Sequence, residues 1–83
     1  MLLFVKKRYA DQIFDGTKTY EIRTGSRYRN IRAGSILNIN GRMRVRVTSV
    51  DIHATADTLP IDISDCYPDR SGPFYVFHFQ PES

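Results

Sequence analysis

Asn40-Gly41 lies between two runs of alternating apolar and polar residues, and no other local signal in the chain leaves so few folds open. An Asn-Gly pair accepts the left-handed backbone that a tight turn between antiparallel strands requires. Before it, Ser35 to Asn40 reads as a strand with Leu37 and Ile39 on one face and Ile36 with Asn38 on the other. After it, Arg42 to Val50 alternates cleanly, with Met43, Val45 and Val47 inward and Arg42, Arg44 and Arg46 outward. Three arginines on one strand face are suited to nucleic acid, but they equally keep an outer face soluble and discourage edge pairing.

The flanking segments add three strands and a helix. Leu2 to Lys6 is apolar up to its end and reads as a buried first strand. Lys7 to Asp15 reads as a short helix with Tyr9, Ile13 and Phe14 inward, and Gly16 stands just beyond its end, where a left-handed cap is favoured. A strand over Thr19 to Arg23 and a polar loop from Thr24 to Ala33 follow. Phe74 to Phe79 closes the chain with Phe74, Val76 and His78 on one face and Tyr75, Phe77 and Phe79 on the other, the pattern of a central or barrel-closing strand. Between Asp51 and Pro73 the periodicity weakens, although Ser64 to Tyr67 reads as one helical turn capped by Ser64. His53 then falls in a loop, and His78 is a satisfied histidine at the edge of the core. About five strands, one helix and one helical turn in 83 residues make a single α+β domain over residues 1–83, a small mixed barrel.

Composition narrows the function more by exclusion than by pointing. Cys66 is the only cysteine, so no internal disulfide or cysteine-clustered zinc site is possible, in keeping with a cytoplasmic protein. Asp62, Asp65 and Asp69 are too irregular for a calcium loop, and neither a metal nor a cofactor is expected. No run is long enough to span a membrane. Met1 to Val5 is too short for a signal-peptide core, and its basic residues follow it instead of preceding it. The net charge of +3 conceals an asymmetry: residues 1–46 carry eleven Lys/Arg against three Asp/Glu, and the remainder one against six. An arginine-rich half is what phosphate contacts need.

The densest chemistry lies in Gly16-Thr17-Lys18-Thr19-Tyr20-Glu21-Ile22-Arg23. Strand alternation puts Thr19, Glu21 and Arg23 on one face and Tyr20 with Ile22 on the other. The apolar pair is then expected to face a core and the polar residues a cleft, with Lys18 at its entrance. Such a group suits an anion or the polar edge of a base, and it has the means to move protons. Charges on a strand face also commonly just pair with one another, contributing about 0–1 kcal/mol when exposed. In the loop that follows, Arg27, Arg29 and Arg32 interleave with Tyr28, a composition that tracks a sugar-phosphate backbone while stacking a base. The same loop would serve equally well to pack Tyr28 on a core.

The pattern Gly-x-Lys-x-x-Glu-x-Arg at Gly16, Lys18, Glu21 and Arg23 resembles the signature of the ASCH domain, a relative of the RNA-binding PUA domain. The apolar strand and short helix before it, the Arg-Ala-Gly step at Arg32 to Gly34 and the closing aromatic strand agree, so the resemblance covers nearly the whole chain. It implies a PUA-like β-barrel with a cleft beside the lysine and RNA or a nucleoside or nucleotide as ligand. A bacterial branch of the family hydrolyses N4-acetylcytidine with a lysine, a threonine three residues later and a glutamate on a later helix. Here the lysine falls on Lys18, Glu21 stands where the threonine would be, and no later helix matches. The leading expectation is therefore RNA or modified-nucleotide binding, with Lys18 and Arg23 on phosphate or carbonyl oxygens, Glu21 on a base edge, and Arg27, Tyr28 and Arg29 extending the surface. In that arrangement Glu21 faces a cleft and holds up no core. The alternative is a small hydrolase acting on RNA or an acylated cytidine, with Lys18 and Glu21 sharing a proton and Thr19 as a displaced nucleophile. A protein-interaction domain is the third possibility, and the sequence is silent on oligomeric state.

Overall fold

The aromatic C-terminal run forms the central strand. The computed structural model describes residues 1–61, 67 and 71–82, and in it this run is β5 (Phe74–Pro81). It pairs antiparallel with β4 (Met43–His53) on one side and β2 (Tyr20–Thr24) on the other. With β3 (Ile36–Ile39) and β1 (Leu2–Leu3) they make a five-stranded mixed sheet in the order β1-β3-β4-β5-β2, β1 running parallel to β3. Because β5 is covered on both sides, its alternation feeds two cores. Tyr75, Phe77 and Phe79 join Leu3, Ile13, Leu37, Ile39, Val45 and Val47 in the larger one, while Phe74 and Val76 join Ile22 and Ala56 in the smaller.

Asn40 (φ 55°) and Gly41 (φ 73°) both take the left-handed backbone, and the Arg42 amide closes the turn on the Ile39 carbonyl at 3.0 Å. Two positive φ values give the turn the twist of the strands it joins. The Asn40 side chain has a second task. Its Oδ1 accepts from the Val5 amide at 2.7 Å and its Nδ2 donates to the Val5 carbonyl at 2.9 Å. This side chain extends the β1 pairing beyond the backbone ladder, which covers only two residues of the strand expected from Leu2 to Lys6.

β4 runs further than its sequence pattern suggests. A shift of register between Val47 and Ser49 inserts Thr48 as a bulge, so Val50 returns to the core side three positions after Val47. Strict alternation therefore breaks although the strand continues to His53. The helix α1 (Lys7–Asp15) forms over the expected residues, burying Ala10 and Ile13, and ends on Gly16 at φ 86°, whose amide donates to the Ile13 carbonyl at 3.3 Å. Two short 3₁₀ turns, Ser26–Tyr28 and Ala56–Thr58, add to the expected elements. The helical turn read at Ser64 to Tyr67, with Cys66 and Asp62, Asp65 and Asp69, lies outside the described residues apart from Tyr67.

The expected barrel does not close. β1 and β2 stand at opposite ends of the strand order, and no ladder joins them among the described residues. A side chain crosses the seam instead: Arg23 Nη2 donates to the carbonyl of Phe4, just past β1. The outward edge of β2 is also capped, because the Ile22 amide donates to Glu21 Oε1 at 3.3 Å and the Tyr67 hydroxyl donates to the Ile22 carbonyl at 3.1 Å. Capping both groups leaves less of the edge free for another strand to add to it. No described helix is long and apolar enough to cross a membrane.

Candidate functional site

In the β2–β5 register Glu21 stands opposite Phe77 and Arg23 opposite Tyr75, while Tyr20, Ile22 and Thr24 stand opposite His78, Val76 and Phe74. The two faces separate as alternation requires, but the polar face looks onto the larger core and not into a cleft. Glu21 is 8% exposed, the one charged side chain buried among the described residues. Its position at the edge strand, where the core beneath α1 runs out, lets two cations reach it. Lys18 Nζ lies 3.2 Å from Oε1 and Arg23 Nη2 3.0 Å from Oε2, with side-chain exposures of 12% and 18% for the two bases.

Both Glu21 oxygens have partners. Oε1 also accepts the Ile22 amide. Lys18 Nζ sits 4.5 Å from the centre of the Tyr9 ring and 5.2 Å from that of Tyr20, so aromatic faces replace part of its hydration. Burial works against the charge of Arg23. The neighbouring Glu21 carboxylate outweighs that burial, with Tyr67 and Tyr28 acting in the same direction, and the guanidinium is held above its ordinary range. Two cations around one carboxylate leave a net positive charge at a partly open seam, which attracts anions. Glu21 holds those cations in place. Both of its oxygens are engaged within the cluster, Oε1 by Lys18 and the Ile22 amide and Oε2 by Arg23, which suits a supporting role in place of the cleft-facing one expected of it.

The other candidate residues divide sharply. Thr19 is exposed, its carbonyl takes the Phe79 amide at 2.9 Å, and its hydroxyl has no hydrogen-bond partner among the described residues. Among the described residues no base is hydrogen-bonded to it to activate it. Tyr28 is 7% exposed, with its ring centre 6.1 Å from that of Phe77. Its expected role as a stacking platform is corrected to a core role, with Arg27 lying over the ring at 5.2 Å. Arg27, Arg29 and Arg32 are exposed and enter no ion pair among the described residues. Arg44 and Arg46, by contrast, share Glu82 at 3.0 and 3.9 Å, which offsets one of their two charges. His78 pairs with Asp51 at 2.9 Å, and His53, at the end of β4 and not in a loop, lies 2.7 Å from Thr58 Oγ1. No group of three metal-ligating side chains gathers among the described residues.

One residue at this seam escaped the sequence reading. Phe4 is 72% exposed although it lies in the most apolar run of the chain. Its neighbours Leu3 and Val5 are both buried, so simple alternation turns Phe4 outward; reading the run as covered on both faces concealed this.

Three comparisons bear on this fold and site. A search of solved structures aligns the chain with the crystal structure of hypothetical protein PH0355, at a TM-score of 0.76 and 17% identity over 98% of this chain and 97% of that one. At that identity the likeness speaks for the fold alone. No curated protein matches the sequence at a significant level. The profile of the ASCH domain matches residues 3–75, a span that takes in the motif, the seam and the start of the central strand. The chain belongs to the ASCH domain family.

Proposed function

We propose that this chain is an RNA-binding module whose surface joins the seam cations Lys18 and Arg23 to the exposed arginines Arg27 and Arg29. Membership of the ASCH family, a relative of the RNA-binding PUA domain, supports this reading. The observation that carries the proposal is the packing of Tyr28 on Phe77, the residue opposite Glu21 in the β2–β5 ladder: the 3₁₀ turn that bears Arg27, with Arg29 just beyond it, is thereby anchored to the same face of the sheet as Glu21 and Arg23. Phosphate oxygens take guanidinium forks in pairs, and Arg27 and Arg29 stand exposed with no carboxylate partner among the described residues. Glu21 acts from beneath, holding Lys18 and Arg23 in position through its two ion pairs.

Binding of single-stranded RNA measured over a range of salt tests this reading. Each neutralised phosphate adds roughly 0.7 to the magnitude of the log-log slope on single strands. Replacing Arg27 and Arg29 together by alanine is thus expected to lower it by about 1.4. An unchanged slope removes this loop from the binding surface.

A further inference from the structure

We propose that Phe4 is the stacking platform of this surface, which makes the ligand an unpaired nucleobase beside its own phosphate. The inference rests on the RNA-binding reading above and adds the part that Tyr28, buried in the core, does not supply. Phe4 is the most exposed of the large apolar side chains and the only exposed aromatic one among the described residues. The other rings near the seam are engaged. Tyr9 carries the Arg8 guanidinium at 4.7 Å and the Lys18 ammonium at 4.5 Å, and Tyr28 packs on Phe77 under Arg27.

A single exposed apolar residue ordinarily calls for no explanation. The surroundings of Phe4 distinguish it. Its carbonyl is held by Arg23 Nη2, so the backbone that carries the ring is tied to the seam guanidinium. Lys6 and Arg8, close along the chain, are exposed and pair with no carboxylate among the described residues. An apolar protein surface laid over Phe4 would have to cover these cations without partners, at a cost in desolvation. A nucleotide satisfies both demands: its base covers the ring and its phosphate meets the cations. Bases inside a duplex have no free face to offer, so the site selects single strands or splayed-out bases.

The test is fluorescence anisotropy with a labelled single-stranded RNA and with the same sequence annealed to its complement, using the wild type, Phe4→Leu and Phe4→Trp. Leucine keeps an apolar side chain at an exposed position and leaves folding intact. It is expected to weaken single-strand binding about 5- to 150-fold, the range for loss of one base–aromatic stack, with the salt slope unchanged. Tryptophan restores the affinity, and its emission is quenched as the base stacks on it. The duplex binds more weakly and is indifferent to both changes. A wild type that binds neither RNA refutes the RNA-binding reading itself, whereas a Leu variant that binds single strands as tightly as the wild type refutes only the platform. A dimer in sedimentation that Phe4→Leu dissociates would assign the ring to a second copy of the chain and equally overturn the inference.

Discussion

Glu21→Gln replaces one carboxylate oxygen by an amide of the same shape and strips the seam cluster of its only negative charge. Removing one partner from a buried ion pair costs about 3–5 kcal/mol, because the other is left charged in a poorly hydrated site. Here the cations retain side-chain exposures of 12% and 18%, and a glutamine carbonyl at the Oε1 position still accepts two of the three donors, Lys18 and the Ile22 amide. The cost falls accordingly to about 2–3 kcal/mol. In a domain of this size, 1 kcal/mol moves the melting temperature by about 4–8 °C, so the variant is expected to melt about 10–20 °C lower. Urea denaturation followed by far-UV circular dichroism measures the difference directly, and the buried setting makes it only weakly salt-dependent. Replacing the whole cluster, as Lys18→Met, Glu21→Leu and Arg23→Met together, should recover part of the loss, since a buried ionic group and an apolar one of similar volume are often close in stability. Recovery stays incomplete because Arg23 also spans the seam to Phe4. A Glu21→Gln variant within about 0.5 kcal/mol of the wild type, inside the range of an ordinary surface substitution, would refute the argument and return Glu21 to a ligand-facing role.

Three further outcomes follow from individual contacts. A Cβ at Gly72 would stand 2.4 Å from the Ala54 carbonyl oxygen at φ +58°, so Gly72→Ala should cost about 2–4 kcal/mol by chemical denaturation. Gly34→Ala, strained but facing open space, should cost only about 1–2; equal losses would show that the close approach is immaterial. The Thr17 hydroxyl and amide hold the Asp15 carboxylate below its ordinary range. The stabilisation is present above the unfolded value near pH 4 and is lost as the pH falls through the lower folded one. Asp15→Asn should therefore flatten the acid limb of the stability curve, and identical limbs would show that this turn does not contribute. Incubation with N4-acetylcytidine should release no cytidine above a Lys18→Ala control, since among the described residues no base is hydrogen-bonded to Thr19 and both Glu21 oxygens are engaged by cations. Lysine-dependent turnover near the enzymatic range of about 1–1,000 per second would overturn the binding reading.

Much of the fold was legible because the strands obey period two and the turns are marked by their residues. Asn40-Gly41 announced the hairpin, Gly16 the end of α1, and the doubly apolar Phe74–Phe79 run a central strand. The bulge at Thr48 was hidden because nothing in the pattern marks an inserted residue until the partner strand fixes the register. The seam was hidden for a related reason: whether a curled sheet closes depends on strand stagger, which no single segment encodes. At the site, period two correctly grouped Glu21 with Arg23 but could not say which face carried the larger core. That depends on where α1 packs. Its answer turned Glu21 from a contact residue into a support and drew Tyr28 inward, while Phe4 came to the surface.

The hydrogen bonds between Asn40 and Val5 also govern how the molecule ages. Asparagine followed by glycine is the pairing in which the next backbone nitrogen most readily attacks the side-chain amide, releasing ammonia and leaving an acid or its rearranged isomer. In the native chain both polar atoms of that amide are held against Val5, away from the geometry of attack. Once the hairpin opens, nothing restrains them. A carboxylate at this position has no proton to donate to the Val5 carbonyl, so a converted molecule cannot rebuild the tie between β1 and the hairpin. Damage should therefore accumulate with time spent unfolded and not with time in solution. Peptide mass spectrometry of protein stored at rising urea concentrations should show conversion following the unfolding curve, and conversion independent of urea would show that the native contacts offer no protection.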